Sequence, residues 1–596
     1  MDKRLERILP RVQKPARYVG GEFNAIMKDK SKVDTRVAFC FPDTYEIGMS
    51  NLGMRILYGV MNNIEGVWCE RCFAPWGDME QEMRNANIPL YALESFDPIK
   101  DFDIIAFSIG YEMAFPAMVD MLDLAGVPLH ASERTALTPL VVAGGTAMYN
   151  CEPIADFIDL ALIGEGEEMD VELIELHRQA RREGWSKHEF LVCAAQIPGV
   201  YVPSLYDVVY NDDGTIKSIT ANEGAPKVVL KRIMRDMDKA YYPTKTIVPS
   251  TEIVQDRVSL ELFRGCIRGC RFCQAGYVYR PVRNRSEELL RGYAVEAVED
   301  SGYQDMTLSS LSTSDYPHLV ELCDDLEDFC AQRHVTLALP SLRADNFSMA
   351  LMERLQKGRK TGLTFAPEAG TQRLRDAINK NLTEEDLLES CRRAFAGGYS
   401  AVKLYFMLGL PTETDEDVLG IADIAAHVMH AWRESALNKT RGVRITVSTS
   451  WFVPKAHTAF QWEPQIPKEE YERRVKLLRE NMLTKSVTYN WHDSDTSYME
   501  AVISRGDRRL CRVIETAWRK GEHLSAWEEY FSLDRWLEAF EECGLDPHFY
   551  ANRKREKDEL MPWAMISSGV TEQYLWREHE RCYQSVTTPD CRTHCN

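Results

Sequence analysis

Short apolar runs alternate with helix-period stretches along most of this chain, and this alternation restricts the fold more than any other feature. The first series contains four runs with the character of buried parallel strands that end in turn residues: RVAFCF (36–41), DIIAFSIG (103–110), PLVVAGG (139–145) and LALIGEGEE (160–168). Stretches with helical spacing lie between them. Residues 36–200 are therefore predicted to form an open, doubly wound, Rossmann-like α/β domain, and such domains bind ligands beyond the carboxyl ends of their strands.

A second alternating series begins after residue 255. Its six strand candidates are VSLELFRG (258–265), DMTLSSLS (305–312), VTLALPSL (335–342), GLTFAPEAG (362–370), AVKLYFMLGLP (401–411) and RITVSTSWFV (444–453). Helical segments such as SEELLRGYAVEAVEDSG lie between most of them. Six βα units predict a (βα)6 partial TIM barrel over residues 256–465, with its chemistry at the carboxyl ends of the strands.

The remaining segments complete an α/β chain of several domains, because 596 residues exceed what one hydrophobic core accommodates. Residues 1–35 form a polar lead-in with helical character. Residues 201–255 form a connector with a β-hairpin signal around YNDDGTI. Residues 466–596 have a helical pattern and end in a cysteine-bearing tail.

Composition narrows the function classes. The chain has 45% hydrophobic and 27% charged residues and a formal net charge of −20, which argues against general affinity for nucleic acid. No run approaches the roughly 18 apolar residues of a membrane span, and the charged start lacks a signal-peptide core. A cytoplasmic protein with no membrane partner is expected, and ten of the sixteen cysteines are predicted to be buried small hydrophobes.

Three cysteines in the stretch FRGCIRGCRFCQAGY are the strongest chemical signal. Cys266, Cys270 and Cys273 have Cys-x3-Cys-x2-Cys spacing in the loop that leaves the first predicted barrel strand. Such a loop can hold three corners of a [4Fe-4S] cluster and leave one iron open. The alternative, a structural zinc site, would need a fourth ligand and usually paired Cys-x2-Cys knuckles. S-adenosylmethionine could occupy the open iron and, after one-electron reduction, yield methionine and a 5'-deoxyadenosyl radical.

This pattern resembles the signature of the radical SAM superfamily, and that resemblance implies further site residues. Phe272, just before the last cysteine, would pack beside the adenine of S-adenosylmethionine. Glu368 in GLTFAPEAG would contact the ribose or amino end, and the turn from Gly409 to Pro411 would pass near the adenine. The alternatives are a charge at a helix N-terminus for Glu368 and a purely structural Gly-Leu-Pro turn. Where many members have Gly-Gly-Glu, this chain has SSLSTSD, whose serines are candidates for the methionine moiety.

The strand ends of the first domain resemble the cobalamin-binding domain that precedes the catalytic domain in many radical SAM enzymes. The resemblance implies that three residues line the corrin tail and two shape the neighbouring edge: Ser108, Gly144 and Gly145, and Gly164 and Gly166. One departure concerns the lower axial ligand of cobalt, because Tyr45 stands where the family's loop carries a histidine. Phrases such as DTYEIGMSNLG, LPSLRADNF and VPKAHTAFQW further resemble a widespread bacterial family with this domain pair and no established substrate.

Two features stay open at the level of sequence. Six arginines lie within 22 residues around the cysteine loop, namely Arg264, Arg268, Arg271, Arg280, Arg283 and Arg285. They either pair with the many carboxylates or bind anionic groups, including those of an electron donor such as flavodoxin or ferredoxin. Cys582, Cys591, His594 and Cys595 near the chain end could carry a second metal centre.

Three functions fit these patterns. The first is a radical SAM enzyme in which cobalamin relays a methyl group to an unidentified substrate. The second is a methylthiotransferase-like or other radical SAM transforming enzyme without functional cobalamin, and it predicts a second iron-sulfur centre. The third is a non-catalytic iron-sulfur or cobalamin sensor, which predicts no cleavage of S-adenosylmethionine.

Overall fold

The first domain is built on one mostly parallel sheet. The structure is a computed structural model and describes residues 2–339, 362–440, 442–482 and 486–592. The strands of this sheet are β1 (Thr35–Phe41), β2 (Val67–Phe73), β3 (Ile104–Ser108), β4 (Leu140–Gly144), β5 (Leu160–Leu162) and β6 (Val200–Tyr201). Their order is β2-β1-β3-β4-β5-β6, and only β6 is antiparallel to its neighbour. The predicted doubly wound α/β class is confirmed, and the order changes direction between β1 and β3, where such sheets bind ligands.

Helices cover both faces of this sheet. They are Lys3–Ile8, Tyr45–Ser50, Leu52–Asn62, Gly77–Ala86, Phe115–Ala125, Gly166–Glu183 and Lys187–Ala194. Local sequence sets several of their ends: the Asn51 side chain caps Leu52–Asn62, and Gly126, at φ 73°, terminates Phe115–Ala125.

The edge strand β2 was not among the predicted strands. All of its residues are buried, yet its sequence VWCERCF includes Glu70 and Arg71. Arg71 lies 2.8 Å from a carboxylate oxygen of Glu22 and 2.7 Å from one of Glu94. These two charged residues interrupt the apolar run in the sequence. Their burial is possible because residues from elsewhere in the chain pair with them.

The connector contains the predicted hairpin, with β7 (Tyr206–Tyr210) antiparallel to β8 (Ile216–Ala221). A short strand, β9 (Val229–Leu230), follows it.

The second domain carries the parallel strands of the predicted barrel. They are β10 (Val258–Glu261), β13 (Asp305–Ser309), β14 (Thr336–Ala338), β15 (Leu363–Glu368), β16 (Ala401–Leu408), β17 (Arg444–Trp451) and β18 (Val487–Trp491). They form the sheets β10-β13-β14 and β15-β16-β17-β18, and a small antiparallel pair, β11 (Phe263–Arg264) with β12 (Arg283–Asn284), follows β10. The end of the candidate VTLALPSL, like most of LPSLRADNF, lies outside the described residues.

Within the described residues, this series of parallel strands therefore has one member more than the six expected. β18 pairs with β17 in parallel, beyond residue 465, where the sequence placed the end of the barrel. Its residues are only partly buried, so the segment lacks the continuous apolar run that marks the other strands.

The remaining helices lie around the barrel and in the C-terminal region. Those of the barrel are Gln274–Val278, Glu287–Ser301, Leu319–Arg333, Gln372–Ala377, Glu384–Ala396 and Asp415–Ser435. Those after it are Lys468–Asn481, Ser494–Ser504, Leu510–Arg519, Leu533–Cys543, Pro547–Ala551 and Glu572–Tyr583. None of the helices within the described ranges combines the length and the apolar character that crossing a membrane requires.

Part of the C-terminal region packs against the first domain and the connector. The Trp518 indole donates to a carboxylate oxygen of Asp120 at 3.0 Å, and Arg508 pairs with Glu152 at 3.0 Å. The charged segment around Arg508 is thus paired with the first domain. The strand β19 (Ile566–Ser567) pairs in parallel with β9, which brings the last helix back to the connector.

Candidate active site

The cysteine loop lies directly after β11 and leads into a short helix. The backbone N–H of Arg268 donates to the Cys266 sulfur at 3.4 Å, and Cys273 forms the N-cap of the helix Gln274–Val278. Burial, with a smaller contribution from the neighbouring Cys270, raises the pKa of the Cys273 thiol to about 12. A thiol in this state is bound as thiolate only when a metal supplies the compensating charge.

The three loop cysteines do not form a compact group of ligand atoms in the described residues. Four sulfurs around one zinc at about 2.3 Å lie roughly 3.8 Å apart. Among the described residues, the one group of three metal-type ligand atoms lying within 4.8 Å of one another is Glu80, Asp120 and His523, not the three cysteines. Cluster binding by these three cysteines stays a prediction.

The acidic group of Glu80, Asp120 and His523 has its own cation. Arg84 lies 2.8 Å from Glu80 and 2.7 Å from Asp120, so a cation of the protein already contacts both carboxylates. The group joins the first domain to the C-terminal region.

Three predicted barrel segments lie together: the cysteine loop and the ends of β15 and β16. Phe272 packs in one apolar cluster with Ala369, which follows Glu368, and with Leu410, which lies between Gly409 and Pro411. The structure therefore brings the loop and the ends of β15 and β16 together, although they are far apart in sequence.

Glu368 ends β15 in a strained conformation. Its φ is 69°, a region that residues other than glycine rarely adopt, and its carboxylate pairs with Lys380 at 3.1 Å. The following helix Gln372–Ala377 is capped by Thr371 and has no acidic residue in its first turn. Glu368 is therefore not a charge at a helix N-terminus.

The Gly-Leu-Pro turn has a clear structural requirement. Gly409 has φ 87°, and its backbone N–H donates to Glu413 at 2.7 Å. Burial raises the pKa of Glu413 to about 7, and the cation of Arg474 opposes this shift. The turn would keep its shape without any ligand, so its contact with adenine stays a prediction.

The arginines around the loop are mostly paired within the protein. Five of the six contact carboxylates, namely Arg264, Arg268, Arg271, Arg283 and Arg285. Arg271 is fully buried, lies 3.1 Å from Glu578 and donates to the carbonyl oxygen of Val586 at 2.7 Å. This supports the paired interpretation over the anion-binding one for these five residues.

The tail folds over the cysteine loop. The N–H of Cys591 donates to the carbonyl of Ile267 at 3.2 Å, and the Asp590 carboxylate lies 3.5 Å from Arg268. Cys582 is instead fully buried in the apolar cluster around Phe272. His594 and Cys595 lie outside the described residues, and a second metal centre stays a prediction that the position of Cys582 does not support.

A cavity of about 450 Å³ lies between the first domain and the start of the barrel. From the first domain, it is lined by all five residues predicted for that side: Ser108, Gly144, Gly145, Gly164 and Gly166. From the barrel, it is lined by Glu261, Phe263, Arg264 and Gly265, which directly precede Cys266, and by Ser309 and Ser310. We call this space the front cavity. Ser312 does not line it and donates to Asp315 at 2.7 Å.

The glycines of the front cavity differ in whether the backbone conformation and the surrounding atoms require glycine. Gly145 and Gly164 have φ 103° and 113°, and a Cβ on them would lie 2.3 Å and 2.1 Å from the carbonyl oxygens of Ile109 and Arg232. A Cβ on Gly144 would meet nothing closer than Leu162, at 3.8 Å. Gly144 is thus not required by the backbone or by packing, and its missing side chain leaves room for a ligand.

Asp170 is a feature of the front cavity that sequence reasoning missed. It lies on the helix Gly166–Glu183, is 8% exposed, lines the cavity and has no hydrogen-bond partner among the described residues. Burial, and secondarily Glu167, raises the pKa of Asp170 to about 8. The available signal was a carboxylate at the helical spacing of buried Leu173 and Ile174.

Tyr45 does not reach the front cavity. Its side chain is 2% exposed and donates to Glu22 at 2.9 Å. No histidine is found among the described residues that line the cavity.

Comparisons with known proteins place these regions in a family context. A family model described as radical SAM proteins, N-terminal, matches residues 53–203, and one described as the radical SAM superfamily matches residues 260–425. An uncharacterised protein of Methanocaldococcus jannaschii is 29% identical over 521 residues, which cover 86% of this chain and 98% of that protein.

Two solved structures show weak overall similarity. One is the radical S-adenosylmethionine methyltransferase TsrM from Kitasatospora setae with cobalamin and a [4Fe-4S] cluster bound, at 13% identity, TM-score 0.45, covering 70% of this chain and 74% of that one. The other is the cobalamin-dependent S-adenosylmethionine radical enzyme OxsB, at 11% identity, TM-score 0.46, covering 92% of this chain and 79% of that one.

Proposed function

Since the chain belongs to the radical SAM superfamily, whose enzymes use a [4Fe-4S] cluster and S-adenosylmethionine, we propose that it combines this chemistry with cobalamin to transfer a methyl group. The observation that carries the proposal is the position of the front cavity, which opens between the glycine-bearing strand ends of the first domain and the residues that precede Cys266. The substrate is not identified by any residue described.

Cys266, Cys270 and Cys273 would hold the cluster, and their loop leaves one iron for S-adenosylmethionine. The cluster and S-adenosylmethionine, when bound, would supply one-electron cleavage of the sulfonium to methionine and a 5'-deoxyadenosyl radical. Phe272 would pack beside the adenine, and Glu368 would accept hydrogen bonds from the ribose or amino end. Lys380, 3.1 Å from Glu368, would orient that carboxylate.

The residues of the front cavity fit a large, flat ligand with polar edges. Gly144 leaves open space, Gly145 and Gly164 bring the backbone close, and Ser108 offers a hydroxyl. Asp170, protonated near neutral pH, would donate a hydrogen bond to an uncharged acceptor such as a corrin amide oxygen. Cobalamin bound here would supply the transferable methyl group beside the barrel mouth.

The alternative functions have less support. A methylthiotransferase-like enzyme needs a second iron-sulfur centre, and Cys582 is packed in an apolar cluster away from such a role. A sensor would gain from a closed cluster, whereas the cysteine loop provides only three thiols. An acidic flavodoxin or ferredoxin remains the proposed electron donor.

The test is anaerobic reconstitution of the full chain with iron, sulfide, hydroxocobalamin and S-adenosylmethionine under a strong reductant. We expect about four irons and one cobalamin bound per chain, and 5'-deoxyadenosine as a product. Absence of 5'-deoxyadenosine would contradict the radical SAM enzyme. Normal 5'-deoxyadenosine without cobalamin binding would contradict only the methyl-transfer proposal.

A further inference from the structure

A second cavity, of about 910 Å³, lies outside the site described above. Three segments form its walls: the connector after β9, the residues that follow the cysteine loop, and the turn before the last helix. The lining residues used below are Lys231, Arg235, Lys239, Arg280 and Ser568. A backbone β-bridge between Gly164 and Arg232 separates the second cavity from the front cavity. Glu168 lines the second cavity, whereas Glu167 lines the front cavity.

The lining of this second cavity is basic in an acidic protein. Five cations line it against two carboxylates, Glu168 and Asp236, although the chain carries a formal net charge of −20. A local reversal of sign inside a concave wall concentrates the positive potential in the cavity.

Several of these cations lack a neutralising carboxylate. The Lys231 ammonium donates to the carbonyl oxygen of Val278 at 2.7 Å, and burial lowers the pKa of Lys231 to about 8. Arg280 donates to the carbonyl of Gly276 at 2.8 Å. Neither Lys231, Arg280 nor Arg235 forms an ion pair with a carboxylate within the described part of the chain. Arg232 differs, since Glu168 and Glu172 each lie 2.8 Å from it.

A buried hydroxyl without a partner points into the same space. Ser568 is 1% exposed, and its Oγ has no hydrogen-bond partner among the described residues. Buried polar atoms are normally paired, so an unpaired one at a cavity wall indicates a missing ligand or water.

The turn that carries Ser568 leads into a helix of twelve residues, Glu572–Tyr583, whose N-cap is Thr571. The N-terminus of a helix attracts anions through its free N–H groups and its dipole. The helix N-terminus, the Ser568 hydroxyl and the cations therefore lie at one cavity, and each of them favours an anionic ligand.

We propose that this second cavity binds an anionic small molecule through a phosphate group, held by Arg235, Arg280 and the Ser568 hydroxyl. Lys231, whose ammonium already donates to the carbonyl oxygens of Tyr277, Val278 and Arg280, adds positive charge to the site rather than a hydrogen bond. The cavity is concave and walled on three sides, which suits a small ligand better than the surface of an acidic protein. This site is independent of the proposed methyl transfer. Arg280 connects it to the cysteine loop, since its guanidinium also donates to the carbonyl of Arg268 and, at 3.3 Å, to the Cys591 sulfur.

The experiment is isothermal titration calorimetry of the full chain with inorganic phosphate and with AMP, against adenosine, at constant ionic strength. We expect saturable binding of phosphate and AMP and none of adenosine. Ser568→Ala should weaken binding about tenfold, through loss of one hydrogen bond to a charged group. The double variant Arg235→Glu/Lys239→Glu, at two exposed positions, should weaken it by about a hundredfold or more.

The matched control is Lys217→Glu/Lys476→Glu, which reverses two exposed charges elsewhere. Equal loss of binding in this control would overturn the proposal, because it would show a general charge effect. The proposal would also fail if phosphate and AMP gave no saturable heat. It would fail in favour of protein docking if only an acidic flavodoxin bound, in a manner sensitive to Arg235→Glu/Lys239→Glu. Circular dichroism verifies the fold of each variant.

Discussion

The cysteine loop and the front cavity differ in how the chain builds them. The loop takes its three thiols from one short stretch, Cys266 to Cys273, and its chemistry is a property of residue type and spacing. The front cavity is lined by residues from Phe39 to Leu311, contributed by two domains. Replacing a single side chain can abolish cluster binding by the loop. The front cavity, in contrast, is changed by filling its space or by altering its charge.

Even the local loop relies on distant contacts for its shape. Asn379 donates to the carbonyl of Gly269 at 2.9 Å and accepts from the N–H of Thr588 at 2.8 Å. Arg271 adds its buried pair with Glu578. The loop's ligands are therefore local, but the cover over them is tertiary.

The largest expected effect concerns the loop. Cys270→Ser should abolish the charge-transfer absorbance of the [4Fe-4S] cluster at about 400 nm. It should also abolish the formation of 5'-deoxyadenosine, because the two remaining thiolates do not hold the cluster. Cobalamin binding should persist, since the front cavity is a separate space. Cys193→Ser, at an exposed cysteine, is the control and should keep both signals. An intact cluster in Cys270→Ser would contradict the distinction between a loop that one substitution disables and a cavity that it leaves unchanged.

A smaller effect is expected from filling the front cavity. Gly144→Leu should weaken cobalamin binding, measured by equilibrium dialysis, by about tenfold or more, or ~1.4 kcal/mol. Cluster content should not change, because the new side chain points into open space rather than into the loop. Gly292→Leu is the control, since a Cβ there meets nothing within 4 Å and the residue is exposed on its helix. Unchanged cobalamin affinity in Gly144→Leu would place the ligand elsewhere.

The smallest effect concerns Asp170 and pH. Its pKa is raised to about 8 by burial, whereas an unfolded aspartate titrates near about 3.9. The folded protein therefore holds one more proton than the unfolded chain between these values, and stability falls as pH rises through that window. Asp170→Asn removes this loss, so its Tm should exceed that of the natural protein at pH 8.5, by a margin that shrinks as the pH falls through the window.

The same variant sharpens the role of Asp170 in binding. Cobalamin affinity of the natural protein should fall a few-fold, about 0.5 to 1 kcal/mol, as Asp170 ionises, and Asp170→Asn should lose this dependence. Asp212→Asn, at an exposed hairpin position, serves as control. The other charged groups lining the front cavity are Glu165, Glu167, Glu261 and Arg264. An unchanged pH profile in Asp170→Asn would assign the dependence to them.

Much of the fold was predictable because it follows from periodicity. The strands β1, β3, β4 and β5, the connector hairpin and the strand ends that carry Glu368 and Gly409 all lie where their patterns indicate. Strands β2 and β18 were missed. In β2, Arg71 and Glu70 hide a buried strand, and in β18 partial exposure removes the apolar run.

Sequence alone determined the chemistry that depends on residue type and local spacing: three thiols for a cluster with one open iron, and glycines at the ends of parallel strands. Tertiary structure decided what depends on distance between remote groups. It placed Asp170 unpaired in the front cavity, turned Tyr45 away towards Glu22, paired five arginines with carboxylates and gathered the cations of the second cavity. The physical reason is that burial and Coulomb interactions depend on positions in space, which one-dimensional patterns do not record.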